Sequence, residues 1–182
     1  MTNKTTGISM AFPSYTDTMR NVFLSYQIFD FIAIFCPFTP TPQKIVAQKP
    51  KTISSKEEFE VIKTHCMQGA NMLRRLENFE DEPLLQTAYD IARWHHERWD
   101  GRGYPDGLKG NDIPISAQIV SLADVYDALT SERCYKKAFS HETAMRMILN
   151  GECGAFNPLL LECLTDIQAE LQKKSQNIAV NH

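Results

Sequence analysis

Ile119-Val120-Ser121-Leu122-Ala123-Asp124-Val125-Tyr126-Asp127-Ala128-Leu129 decides the fold class of this chain. Drawn as a helix, it is apolar on most sides, so it belongs in an interior rather than on a surface. Pro114 leads into it, and the apolar pattern carries a helix over about Ile115 to Thr130. A carboxylate in the middle of such a helix is costly unless it is paired, hydrogen-bonded or bound to a metal. Asp124 is therefore either a buried partner of a neighbouring helix or of Arg133, or a metal ligand.

Helical spacing also dominates on both sides of this segment, and no two alternating runs are joined by a hairpin turn. Ser55 followed by Glu58 has the form of a capping box and opens a helix to about Asn78. Pro83, behind Asp81 and Glu82, suits a first helical turn, and that helix is expected to run through His95 and His96 to Trp99. Ser140 caps a helix through Leu149, and Asn157-Pro158 opens a last one to about Lys174. Upstream, residues 16–35 suit one helix, and the prolines Pro37, Pro40, Pro42 and Pro50 then force a loop. The apolar run from Val22 to Phe38 is broken by Ser25, Gln27 and Asp30, so a helix packed on the rest of the protein suits it better than a membrane span. The expectation is an all-α protein.

Composition supports a folded chain. The 182 residues are 43% hydrophobic and 23% charged, enough for one domain with a real core. A net charge of −3 offers no broad basic face for duplex nucleic acid. The odd set Cys36, Cys66, Cys134, Cys153 and Cys163, without a CxxC, implies no disulfide framework and fits a reducing, cytoplasmic setting.

The chemistry-bearing residues gather in the middle of the chain. Leu85, Ala88, Ala92, His95 and Trp99 follow helical spacing, so His95 continues an apolar stripe and His96 lies beside it. His65 shares a face with Ile62, Gly69 and Leu73 on the preceding helix. Taken alone, the pair reads first as one packed histidine bonded to a carbonyl and one surface histidine, and His65 as another packed one. Together with Asp124 they are either packed polar residues or the donors of a nitrogen–oxygen metal site, suited to iron, manganese or zinc more than to calcium. Four of the eight glycines, Gly101, Gly103, Gly107 and Gly110, fall in the loop after the histidine pair, where a backbone can turn sharply or approach a ligand. Tyr104 in that loop offers a ring for stacking and a hydroxyl. Arg133 and Lys136 either hold a phosphate or form a solvated basic edge.

The stretch from His95-His96-Glu97-Arg98-Trp99 through Asp100-Gly101-Arg102-Gly103-Tyr104-Pro105-Asp106-Gly107-Leu108 resembles the signature of the HD-GYP phosphodiesterases. Ile113-Pro114, Ala117 to Val120, Ala123 to Ser131 and Lys63-Thr64-His65 extend the likeness over about residues 44–171. The resemblance implies an HD-domain-like helical bundle that hydrolyses cyclic di-GMP with divalent metal ions such as iron or manganese. It implies His65, His95, His96 and Asp124 as metal ligands. Tyr104, Asp127, Arg133 and Lys136 are implied substrate contacts, with Gly101, Gly103 and Pro105 shaping the loop. The chain departs from the pattern upstream: with Pro42 aligned, Ile34 and Phe35 stand at the His-Asp positions, and no histidine precedes His65. The bundle is thus expected to be incomplete at its N-terminal end. Residues 1–43 form an atypical segment, 44–175 the HD-GYP-like domain and 176–182 a flexible tail. One ion rather than two is expected, with hydrolysis impaired. The alternative is an inactive module that binds a cyclic dinucleotide or a signalling-protein partner.

Overall fold

A computed structural model of the chain describes residues 56–76, 80–132 and 137–179. Among them lie five α-helices, one short 3-10 turn and no strand. We label the helices α1 (Lys56–Leu73), α2 (Pro83–Trp94), α3 (Ile115–Thr130), α4 (His141–Leu149) and α5 (Pro158–Ala179). The expected helix over residues 16–35, the substituted positions Ile34 and Phe35, and the basic pair Arg133 and Lys136 lie outside the described residues. None of the described helices is long and apolar enough to cross a membrane.

The apolar segment that set the fold class becomes α3, with the expected ends and with Ala117, Ile119, Val120, Leu122, Ala123, Tyr126 and Leu129 buried. One face of it joins Ala144, Met145 and Ile148 of α4 and Leu160, Leu164, Ile167 and Leu171 of α5 in a continuous core. Leu122, Ile148, Leu160 and Leu164 are fully enclosed there. Leu122→Ala should therefore cost about 2–5 kcal/mol, read as a lower urea midpoint at unchanged slope. On the other side α3 packs against α2, which in turn packs against α1.

Side-chain caps fix where these helices begin. Ser140 Oγ accepts from the Thr143 amide at the start of α4. Asn157 Oδ1 accepts from the Leu159 amide at the start of α5. The buried Gln118 links cap to core: its amide donates to the Ile113 carbonyl, and its oxygen accepts from Asn157 Nδ2 at 2.9 Å. α5 continues to Ala179, past the expected end at Lys174. α1 stops at Leu73 rather than near Asn78, where its last carbonyls are taken by the shorter-range amides of Arg75 and Leu76.

The end of α2 differs from expectation in a way that shapes the site. The helix ends at Trp94, not Trp99, and His95 is its C-cap. Long-range bonds overcome the helical pattern here. Arg93 grips Asp106 with two bonds of 2.8 and 3.0 Å, and Trp94 Nε1 donates to the same carboxylate at 2.7 Å. Glu97 turns inward and accepts from the amides of Asp106 and Gly107. The Trp99 amide donates to the Ala155 carbonyl. The segment 95–108 is thus wound around two carboxylates instead of continuing as helix.

Candidate metal centre

His95 and His96 stand side by side at the C-terminal end of α2. Their rings lie 4.1 Å apart between centroids. The His65 ring, reaching over from α1, is 5.3 Å from His95 and 5.0 Å from His96. Three of the four expected ligands therefore meet.

Backbone carbonyls set the tautomers of two of these rings. Nδ1 of His65 donates to the Ile62 carbonyl at 2.6 Å, and Nδ1 of His95 donates to the Ile91 carbonyl at 2.8 Å. A carbonyl only accepts, so each neutral ring carries its proton on Nδ1 and a bare lone pair on Nε2. The two Nε2 atoms face each other at 3.3 Å. Two lone pairs at that distance repel unless a cation sits against both. Protonation is a poor remedy at neutral pH. Burial first, then the neighbouring His65, lowers His95 to about 4. Burial, then His95 and His65, lowers His96 to about 2. Carbonyl-fixed neutral imidazoles are the form in which histidine binds metal, and 3.3 Å matches two nitrogens held at about 2.0–2.1 Å on one tetrahedral ion. The donor set present therefore fits a divalent ion.

Cys66 completes the cluster. Donor atoms of His65, Cys66, His95 and His96 all lie within 4.8 Å of one another. Sequence reasoning missed this thiol because neighbouring helical positions point in different directions. The reach of the His65 imidazole closes the difference, bringing Nε2 to 3.5 Å from Cys66 Sγ. Asp124 is not one of the four. It stands half-buried on α3 and acts on the Tyr104 hydroxyl: burial, then the charges of Cys66 and Asp124, push that hydroxyl above its ordinary value. Asp127 sits one turn further along α3, accepting from Ser131 Oγ at 2.7 Å.

The glycine-rich loop brings Tyr104 over the cluster. Its ring lies 4.8 Å from that of His96, tilted by 31°, and meets Phe59 edge-on at 6.1 Å. Lys63 lies 5.6 Å from the Tyr104 ring centre and pairs with Glu60 at 2.7 Å. The Tyr104–Pro105 bond is cis, and the Tyr104 amide donates to the His96 carbonyl. Gly101 supplies the positive φ, 79°, of the turn.

Glu97, which reads in sequence as an ordinary surface charge, is buried and organises this loop. Burial raises its carboxyl, while the amides of Asp106, Gly107 and Leu108 pull it down. Asp106 is held below the usual carboxylate range, chiefly by its hydrogen bonds from Arg93. Its support for the loop is therefore complete above the unfolded value near 3.9 and is lost as acid protonates the folded carboxylate below that. Asp106→Ala should remove about 1.5–3 kcal/mol and flatten the acid limb of a thermal-denaturation series below pH 4; an unchanged limb would dismiss Asp106 as an anchor.

A family model described as an HD domain matches residues 37–155. A probable cyclic di-GMP phosphodiesterase of Vibrio cholerae is 44% identical over 108 residues, covering 58% of this chain and 24% of the relative. A cyclic di-GMP phosphodiesterase of Thermotoga maritima is 41% identical over 119 residues, covering 65% of this chain and 31% of the relative. A 3'3'-cGAMP-specific phosphodiesterase of Vibrio cholerae is 36% identical over 121 residues, covering 66% and 22%. The chain spans less than a third of the length of each of these relatives. With its histidine cluster, its Gly-Tyr-Pro loop and these matches, the chain belongs to the HD domain family, in its HD-GYP branch.

Proposed function

We propose that this chain is an HD-GYP-type phosphohydrolase domain that takes cyclic di-GMP at a site with one divalent ion and turns it over slowly. The observation that carries the reading is the pair of bare Nε2 atoms of His65 and His95, 3.3 Å apart with His96 beside them. A divalent ion held there supplies a Lewis acid for a phosphodiester and lowers the pKa of a bound water.

The chain's own residues do the rest. His65 and His95 are oriented by their carbonyl partners before any ligand arrives. Tyr104 offers a ring face beside His96, where a base can stack, and Lys63 places a positive charge near a phosphate. Asp124 adds a carboxylate on the Tyr104 side. The relatives' names point to cyclic dinucleotides as a class and to cyclic di-GMP first. This ligand implies a bacterial cytoplasm and a signalling role. Slow turnover follows from Ile34 and Phe35, which stand at the His-Asp positions and have no metal-binding atom.

A second reading, an inactive cyclic-dinucleotide receptor, is favoured by those same two residues. Incubation with cyclic di-GMP and manganese or ferrous iron separates the two. We expect a low rate of linear product that His95→Ala abolishes; no product at all favours the receptor, and rapid turnover contradicts the impairment. In both readings Tyr104→Ala should weaken cyclic di-GMP binding roughly ten- to a hundredfold, as loss of one stacked base does. Unchanged affinity would remove the loop from the site.

A further inference from the structure

The sulfur of Cys66 stands among the three imidazoles. It is fully buried, it lies 3.5 Å from His65 Nε2, and its distances to the donor atoms of His95 and His96 are within 4.8 Å. Sulfur and nitrogen donors on one tetrahedral ion, with bonds of about 2.3 Å and 2.0–2.1 Å, stand at a comparable separation. Asp124 is outside this tight group.

We propose that Cys66 is a fourth protein ligand, and that His65, Cys66, His95 and His96 form a nitrogen–sulfur site selective for zinc. The inference rests on the reading that the imidazoles hold a divalent ion, and it names that ion and its shell. Three neutral imidazoles leave the full dipositive charge on a buried ion. A thiolate cancels one unit of it, as the missing aspartate does in the pattern that the chain resembles. Binding forms a zinc–sulfur bond, breaks the S–H bond and releases that proton to the buffer. Softness sets the selectivity: thiolate with imidazole suits zinc, whereas manganese prefers oxygen donors.

The test is X-ray absorption at the zinc edge on the full chain loaded with zinc alone, beside competition with a chelator. We expect one sulfur neighbour at about 2.3 Å and the remainder nitrogen at about 2.0–2.1 Å. Cys66→Ser should lose the sulfur neighbour and weaken zinc binding at least roughly tenfold, since even partners one layer out cost that much. Should the serine variant fail to fold, Cys66→Ala, which keeps the site apolar, takes its place. Tightly bound zinc with only nitrogen and oxygen neighbours, or a sulfur neighbour that persists in the variant, overturns the proposal and leaves the imidazole site standing. A wild-type chain that retains no zinc overturns the ion-binding reading and this proposal with it.

Discussion

Replacing His95 by alanine should abolish divalent-metal binding. The ring is buried, its Nδ1 is committed to the Ile91 carbonyl, and its Nε2 faces that of His65 at 3.3 Å. Removing it takes away one donor and also the repulsion between lone pairs that an ion relieves. Metal affinity should fall by about a hundredfold or more, beyond the loss typical of groups that merely orient a ligand. A ligand at a hundred times its Kd stabilises a folded chain by about 2.7 kcal/mol, so added zinc or manganese should raise the melting temperature of the wild type by several degrees and leave that of His95→Ala unmoved. Equal shifts in the two proteins would show that the ion binds elsewhere.

Gly103→Ala should be the most disruptive substitution in the loop. A Cβ built there would lie 2.4 Å from both the Arg98 nitrogen and the Glu97 Cα, and 2.6 Å from the Glu97 carbonyl carbon. These are backbone atoms of the segment that Glu97 ties to Asp106 and Gly107, so none can yield without opening the loop. The expected cost lies at or above the top of the range of about 1–3 kcal/mol for overpacking, and cyclic di-GMP binding should be lost with it because Tyr104 no longer sits on His96. Gly110→Ala is the control. It meets nothing within 4 Å and suffers only from its φ of 58°, so it should cost about 1–2 kcal/mol and leave binding intact. Equal urea midpoints for the two variants would mean that the loop is not closed over residues 97 and 98.

Much of this arrangement was legible in the sequence because the signals are local. The all-round apolar pattern over residues 115–130, the Ser140 and Asn157 caps and Pro83 at a first turn each depend on a few neighbouring residues, and each falls where expected. The convergence of His65, His95 and His96 was legible too, from inward-facing positions on successive elements. What was hidden depends on distant partners. The early end of α2 follows from Arg93 and Trp94 reaching Asp106 more than ten residues away. Glu97 reads as a surface charge until the loop folds back to offer its amides. Cys66 occupies a helical position next to His65 that spacing alone assigns to another face, and only the length of the imidazole brings sulfur and nitrogen together. Asp124 was singled out for its cost in an apolar helix; its charge acts on Tyr104, beside the imidazoles rather than within the tight cluster.

Metal content by elemental analysis, on the full chain and on His95→Ala purified side by side, decides whether these imidazoles hold an ion. About one divalent ion per chain is expected for the wild type and essentially none for the variant, because the donors of His65, His95 and His96 converge on a single point. Two tightly held ions, or a single ion that survives the loss of His95, would contradict it.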